Sequence, residues 1–209
     1  MRLPSSAHTS RPWRIHAIAE DFALADVWRL PTPGGPDDLI HLVRQFAGTA
    51  QDGAAAVPER SASPFAHPVA ATLFLVRWKL GALLGWDKPG TGVGARVPSL
   101  RERLPDDLLD GPRGPDLKPV PFRSVYRTHD EWIAEVANRT VHAAMHIGWV
   151  PDGAGGHHAQ MAVLVKPNGL FGRIYLAVIK PFRRLGVYPA MFKAMGRRWE
   201  ETAPLRTAG

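Results

Sequence analysis

The 209-residue sequence predicts a single-domain α+β protein in which an antiparallel sheet packs against a long, kinked C-terminal helix, with extra helices near the N-terminus. Three observations lead to this fold class. The length and the 45% apolar content are those of a globular domain with a substantial core. Segments of two-residue alternation follow one another over residues 124–166. Residues 169–199 then show helical periodicity, and strands followed by a helix are typical of α+β proteins.

The N-terminal third is predicted to hold one strand and two short helices. Trp13–Ile18 alternates apolar and polar residues after a proline, as an edge strand does. Asp21 is placed to cap a short helix that continues through Trp28. After a Pro-Gly-Gly-Pro turn, a further helix is expected because apolar residues recur at the spacing i, i+3, i+4, i+7, namely Leu39, Leu42, Val43 and Phe46.

The middle of the chain offers less regular structure. Residues 49–64 and 105–121 are predicted to be flexible surface loops, since they are rich in proline, glycine and small or polar residues. Between these loops an apolar stripe predicts a helix over residues 68–84. Ser99 is placed to cap a short helix through Leu104.

The second half of the chain is predicted to form four successive strands, at residues 124–126, 132–136, 140–150 and 158–166. Hairpin turns are expected at residues 138–139 and 151–156. Alternation places the apolar residues of the longest strand on one face of the sheet. The opposite face of that strand carries His142, Ala144, His146 and Gly148. Because the apolar face continues on the next strand, something must cover it.

The cover is predicted to come from residues 169–199, a helix interrupted at Pro181 and Pro189 so that it bends over the sheet. Gly172 is expected to let the start of this helix pack closely. Two apolar stripes are expected to face the sheet. The first consists of Leu170, Phe171, Ile174 and Val178, and the second of Tyr188, Phe192, Met195 and Trp199.

The composition excludes several classes of function. The absence of cysteine excludes disulfides, thiolate metal sites and a cysteine nucleophile, and it fits a reducing cytoplasm. The N-terminal residues do not form a secretory signal, and the most apolar stretch, residues 70–86, is too short and too basic to span a bilayer. We therefore expect a cytoplasmic protein. The net charge of +7 comes from scattered basic residues without a nucleic-acid motif, so no nucleic-acid partner is expected.

Three ionisable residues near the sheet are candidates for catalysis: Glu135, His142 and His146. The two histidines, with His158 on the same face, could orient a ligand or move protons near neutral pH. Alternatively, this face is simply solvated, or its histidines bond to neighbouring backbone. Glu135 could point into a pocket or be a surface acid. No metal is expected, because residues i and i+4 of a strand lie about 13 Å apart and the glutamate of the zinc-protease motif is missing. Gly90–Gly94 lacks the strand–loop–helix context of a phosphate loop, so no cofactor is expected.

Several segments resemble the bacterial protein family catalogued as domain of unknown function 2867 (DUF2867). These segments are Lys166–Tyr175, Lys180–Leu185, Trp132–His146 and Trp28–Gly34. The family is similar to the helix-grip superfamily (SRPBCC, Bet v 1 or START-like), in which a curved antiparallel sheet grips a long C-terminal helix around an apolar cavity. The resemblance implies such a cavity and supplies no catalytic residues. It also requires residues 93–97 as a sixth strand and makes the helix over residues 68–84 an addition.

The resulting expectation is a module that binds a small hydrophobic or aromatic molecule between the sheet and the C-terminal helix. Its lining is predicted to be Tyr126, Met145, Ile147, Trp149, Met161, Val163, Ile174 and Val178, with Glu135, His142 or His146 as polar contacts. One alternative is an enzyme of the cyclase, dehydratase or isomerase type that uses the same cavity. Another is a protein that associates with membranes or a partner through the basic residues of its last helix, Arg183, Arg184, Lys193, Arg197 and Arg198. The oligomeric state stays open.

Overall fold

The computed structural model describes residues 1–48, 92–117, 121–182 and 188–202. The strands in these ranges are β1 Arg2–Leu3, β2 Ala23–Arg29, β3 Arg123–Arg127, β4 Glu131–Ala137, β5 Val141–Pro151 and β6 His157–Pro167. The helices are α1 Ser6–Thr9, α2 Ile15–Ile18, α3 Leu39–Ala47, α4 Asp106–Leu109, α5 Gly169–Phe182 and α6 Tyr188–Glu201, with a 3₁₀ helix at Leu100–Arg103. The predicted loop at residues 49–64 and the predicted helix at residues 68–84 lie outside the described residues.

The strands form one antiparallel sheet in the order β1-β2-β6-β5-β4-β3. The four strands predicted in the second half of the chain are confirmed, and β5 and β6 pair along their full length from Val141–Pro167 to Pro151–His157. The α+β class and the C-terminal helical cover are confirmed as well. The expected strand at residues 93–97 is wrong, because Val93 and Val97 form only an isolated bridge. β2 takes the place beside β6 instead.

Two predictions in the N-terminal third are wrong. Residues 15–18, predicted as part of a strand, form α2, and the segment from Asp21 to Trp28, predicted as a helix, forms most of β2. The physical reason is that both faces of the sheet are covered. Val27 and Trp28 are buried on opposite faces, so β2 shows no alternation of apolar and polar residues that would reveal it as a strand. The helix at residues 39–46 and the Ser99 cap of the 3₁₀ helix are confirmed.

The described part of the C-terminal cover comprises α5 and α6, which flank residues 183–187. Pro181 belongs to α5, and Pro189 is the second residue of α6. The stripe of Tyr188, Phe192, Met195 and Trp199 is buried against the sheet, as predicted. The first stripe is wrong in part, since Leu170 and Ile174 of α5 are 72% and 54% exposed. Gly172 is buried, and a Cβ there would overlap the carbonyl oxygen of Thr140, which confirms the close approach.

The sheet has an apolar core on each face. On the first, here called the α6 face, α3 and α6 pack against Met145, Ile147, Trp149 and Met161 of β5 and β6. On the second, here called the N-terminal face, α2 and the 3₁₀ helix pack against Tyr126, Ile133, Ala144 and Leu164. The N-terminal face is therefore covered, and the interpretation that its histidines lie on a solvated face is wrong.

The outer edge of β3 is occupied by side chains and by the loop before it. Ser124 donates its N–H to Asp116 Oδ1, and its carbonyl oxygen accepts from Arg113 Nε. The carbonyl oxygen of Val125 accepts from Arg101 Nη1, and the N–H of Arg127 donates to the carbonyl oxygen of Pro112. Within residues 105–121, predicted as a loop, α4 forms and both Leu108 and Leu117 are buried.

Candidate functional site

The N-terminal face holds a set of polar side chains that are almost completely removed from solvent. Alternation along the strands places them all on this face, and α1, α2 and the 3₁₀ helix then cover them. They come from three adjacent strands: Glu131 and Glu135 of β4, His142 and His146 of β5, and His158 and Gln160 of β6. Because buried polar groups need partners, the hydrogen bonds of these side chains decide what the face can do.

Two of these side chains, Glu131 and His146, form a continuous hydrogen-bonded chain with His8 of α1 and His16 of α2, here called the histidine relay. His16 Nε2 lies 3.2 Å from His8 Nδ1, and His8 Nε2 lies 3.1 Å from His146 Nδ1. His146 Nε2 in turn lies 3.0 Å from Glu131 Oε2. His8 and His146 are 1% and 0% exposed, whereas His16 is only half-buried. The relay therefore runs from the protein surface to a buried carboxylate.

The tautomers of the relay follow from its inner end. When Glu131 is ionised it only accepts, so His146 Nε2 carries the proton and its Nδ1 accepts from His8. The same argument makes His8 Nδ1 an acceptor for the Nε2–H of His16. All three imidazoles are then neutral Nε2–H tautomers, and the bare Nδ1 of His16 is the outer end of the relay.

A second buried glutamate–histidine pair joins β4 to β5 and is bonded to the start of the 3₁₀ helix. His142 Nε2 lies 2.7 Å from Glu135 Oε2. The other carboxylate oxygen of Glu135 accepts from the hydroxyl of Ser99, and both oxygens lie within 3.2 Å of the backbone nitrogen of Leu100. Glu135 thus attaches the start of the 3₁₀ helix to the sheet, so the pair does not depend on a ligand for its hydrogen bonds.

Burial and these partners shift several pKa values. Burial, with the neighbouring His146 and His16, lowers the pKa of His8 to about 3, and burial also lowers the pKa of His16. Burial acts to raise the pKa of Glu135, but the hydrogen bonds from His142, Ser99 and Leu100 outweigh it and leave that pKa lowered. Burial and the charge of Glu131 raise the pKa of Tyr126. The relay histidines His8 and His16 are therefore held neutral at physiological pH.

Three buried polar atoms on the same face have no hydrogen-bond partner among the described residues. They are Trp13 Nε1, His158 Nδ1 and Gln160 Oε1. A cavity of about 420 Å³ opens beside the relay as a surface groove, lined by Arg14, Asp107, Leu108, Gly111, Pro112, Arg127, Thr128 and His129. Two of these lining residues hold Glu131: the N–H of Arg14 donates to Glu131 Oε1, and Thr128 Oγ1 accepts from the N–H of Glu131.

Comparison with known proteins identifies the family. A family model described as "Protein of unknown function (DUF2867)" matches residues 18–190, which is most of the chain. The chain belongs to the DUF2867 family. No curated protein and no solved structure matches it. The part of the chain that the DUF2867 model matches contains Glu131, Glu135, His142 and His146, whereas His8 and His16 precede it.

Two further features are absent from the described residues of this DUF2867 protein. None of its described helices combines the length and the apolar character needed to cross a bilayer. Within the same ranges, no group of three or more histidine, aspartate or glutamate side chains could hold a metal ion.

The structure divides the predicted ligand-binding residues of the DUF2867 protein between different surroundings. Those on the α6 face are Met145, Ile147, Trp149 and Met161, with the partly buried Val163 beside them. Tyr126 lies on the N-terminal face together with Glu135, His142 and His146, Ile174 is exposed, and the side chain of Val178 lies outside the described part. The acidic and histidine side chains therefore cannot be polar contacts in a cavity on the α6 face, because the sheet separates them from it.

Four residues of the site were not predicted from the sequence: Glu131, His8, His16 and Arg14. One signal was available for Glu131: the hairpin of β4 and β5 brings Glu131 next to His146 and Glu135 next to His142, each pair diagonal in the observed register. No comparable signal exists for His8 and His16, because they sit in four-residue helices whose place on the sheet depends on tertiary packing.

Proposed function

We propose that this DUF2867 protein binds a small hydrophobic or aromatic molecule on the α6 face of its sheet. The observation that carries the proposal is the indole N–H of Trp28, which is buried on this face and has no acceptor among the described residues. A buried donor without a partner costs about 1–3 kcal/mol, which a guest with an acceptor oxygen would offset. The proposed guest is therefore an apolar molecule that carries one carbonyl or hydroxyl oxygen.

The side chains around Trp28 support this choice of guest. The Trp28 ring lies 5.5 Å from the ring of Tyr188 and 5.4 Å from the ring of Phe192, measured between centroids. The same core contains four methionines, Met145, Met161, Met191 and Met195. Methionine side chains are unbranched and polarizable, so a core rich in them can rearrange around an apolar guest at low cost.

The proposal includes an architecture of the helix-grip type, with a curved sheet around the guest. Its support is the order of the elements. The antiparallel meander of β3, β4, β5 and β6 is extended by β2, and α6, the last described helix, packs on the same face as α3. This order leaves the α6 face as the natural location for a cavity between sheet and helix.

The test measures the binding of two probes of similar shape, 1-acetonaphthone with a carbonyl oxygen and 1-ethylnaphthalene without one. Native mass spectrometry and quenching of tryptophan fluorescence are expected to show binding of both, with the ketone bound more tightly. Trp28→Phe is expected to weaken binding of the ketone about tenfold, the value of one hydrogen bond, and to leave binding of 1-ethylnaphthalene unchanged. Trp149→Phe is the matched control on the same face, because the Trp149 indole N–H already donates to the carbonyl oxygen of Gly35.

A second pair of variants locates the probe. Met161→Ala and Leu164→Ala remove similar volumes from the same strand, on the α6 face and the N-terminal face respectively. Only Met161→Ala is expected to change probe affinity. If neither probe binds to the wild-type protein, or if the two alanine variants change probe affinity equally, the proposal is contradicted.

The alternative that the protein is an enzyme stays a prediction, but its catalytic site cannot share the apolar site on the α6 face. Its acid–base candidates Glu135, His142 and His146 lie on the face opposite α6. A proton-transfer site would therefore be separate from the proposed apolar site.

A further inference from the structure

The groove beside the relay carries an excess of positive charge. Two arginines, Arg14 and Arg127, line it, against a single lining acid, Asp107. Asp107 is paired with Arg14 through Nη2, at 2.7 and 3.0 Å from its two carboxylate oxygens, so the other nitrogens of Arg14 are free of this pair. The guanidinium of Arg127 makes no hydrogen bond to any residue that the structure describes. An arginine with free donors in a concave site matches the geometry of a carboxylate or phosphate group.

The groove is directly connected to Glu131, although that carboxylate is only 2% exposed. Its wall residue Arg14 donates a backbone hydrogen bond of 3.0 Å to Glu131 Oε1. Its wall residue Thr128 accepts a bond of 3.0 Å from the N–H of Glu131. An anion in the groove would therefore lie beside the residues that bond to Glu131, and the buried carboxylate would repel it.

We propose that the groove binds a small carboxylate or phosphate anion, and that Glu131 takes up one proton through the histidine relay when the anion binds. The proton removes the repulsion between the anion and the buried carboxylate. Binding and protonation are then linked, so each favours the other by the same factor. This site is on the opposite side of the sheet from the proposed apolar site, and it does not depend on it.

The relay can deliver this proton without leaving a charge on any imidazole. A proton adds to the bare Nδ1 of His16, and the Nε2 proton of His16 moves to His8 Nδ1. The Nε2 proton of His8 then moves to His146 Nδ1, and that of His146 moves to Glu131 Oε2. One N–H bond forms and one breaks at each histidine, and one O–H bond forms on Glu131. All three histidines end as neutral Nδ1–H tautomers, and every hydrogen bond of the relay is kept with its direction reversed.

Several elements that pack around Glu131 contribute charged or titratable groups. Its carboxylate meets His146 from β5 and Arg14 from the start of α2, and it acts on the Tyr126 hydroxyl from β3. The titratable groups beyond these contacts are His8 of α1, His16 of α2, Asp107 of α4, and His129 and Asp130 of the turn before β4. Arg14 and Asp107 neutralise one another, which leaves the guanidinium of Arg127 as the positive group of the groove that faces an anion.

The first experiment is calorimetric titration of the wild-type protein with acetate and with inorganic phosphate at low ionic strength, in buffers of different ionisation enthalpy. The dependence of the heat on the buffer gives the number of protons taken up. We expect uptake of up to one proton per anion bound, and an affinity that rises as pH falls, by up to about tenfold per pH unit. Binding of acetate alone or of phosphate alone identifies the class of ligand. Binding of neither, or binding without proton uptake, overturns the proposal.

Variants then separate the groove from the relay. Arg127→Ala is expected to weaken anion binding at least tenfold, whereas Arg123→Ala, an exposed arginine on the same strand outside the groove, is expected to have no effect. Glu131→Gln is expected to bind the anion without proton uptake. Glu135→Gln, the matched variant of the other glutamate–histidine pair, is expected to keep the uptake. Uptake that persists in Glu131→Gln contradicts the assignment of the proton.

The role of the relay is kinetic, so its test is a rate. His8→Phe removes the middle link and leaves Glu131 in place. Stopped-flow mixing with the anion and a pH indicator is expected to show slower proton uptake in this variant than in wild type, with the same final uptake. Equal rates in the two proteins would show that the proton reaches Glu131 by another route.

Discussion

The neutral burial of His8 predicts that the protein loses stability in mild acid. In the folded protein the pKa of His8 is lowered to about 3 from its ordinary value of 6.5, by burial and by the neighbouring His146 and His16. The unfolded chain therefore binds a proton at His8 before the folded protein does. The contribution to stability is complete above pH 6.5, and it is lost progressively as pH falls from 6.5 towards 3.

The size of the effect follows from the two pKa values. Each unit of difference corresponds to about 1.4 kcal/mol, so the full difference between 6.5 and 3 gives a limit of about 5 kcal/mol. At about pH 4.5 the unfolded chain is protonated at His8 and the folded protein is not. The free energy of unfolding is then reduced by about 2.7 kcal/mol relative to about pH 7.5 from this residue alone.

The assay is urea unfolding of wild type and His8→Gln at these two pH values. Glutamine does not titrate and can keep one hydrogen bond of the relay, so the variant lacks this pH-dependent term. Wild type is expected to lose about 2–3 kcal/mol more than His8→Gln between the two pH values. His129→Gln removes an exposed histidine and is expected to follow the wild-type pH dependence. If His8→Gln loses as much stability in acid as wild type does, His8 is not buried neutral in the folded protein.

Two further predictions concern packing and surface charge. Gly172→Ala is expected to destabilise the protein by about 2 kcal/mol in urea unfolding, because the new Cβ overlaps the carbonyl oxygen of Thr140. Gly35→Ala, where a Cβ meets nothing closer than 3.9 Å, is the control and is expected to be tolerated; equal losses would remove the steric explanation. Asp21→Asn is expected to lose about 1 kcal/mol at low salt and less at high salt, because Asp21 pairs at 2.6 Å with both Arg103 and Lys166 at the surface, and a loss that salt does not reduce would contradict this.

The fold could be predicted from the sequence where one property of the chain is enough to define an element. The hairpins of β4, β5 and β6 combine strict alternation with clear turn sequences, so their strands were found to within one or two residues. β2 could not be found in this way. Its buried residues Asp26, Val27 and Trp28 are consecutive and show no two-residue alternation, so only the position of β6 beside it identifies it as a strand.

The candidate site also has features that the sequence predicts and features that depend on tertiary packing. Alternation placed His142 and His146 on one face, but it left the direction of Glu135 open and did not predict the burial of any of the three. That burial depends on Trp13, whose ring lies against the sheet where Gly148 lacks a side chain; a Cβ at this position would be 2.6 Å from the ring. The contact brings α1 and α2, and with them His8 and His16, onto the polar residues of β4 and β5. A contact between residues 135 positions apart leaves no periodic trace in the sequence.

The occupied edge of β3 limits how this protein can assemble with others. Exposed sheet edges are where foreign strands add and where copies of a chain polymerise through their backbones. Along β3, the N–H groups of Ser124 and Arg127 and the carbonyl oxygens of Ser124 and Val125 are already bonded within the molecule. An incoming peptide would have to displace Asp116, Arg113 and Arg101 before it could pair. Recognition on this side of the molecule therefore has to use side chains.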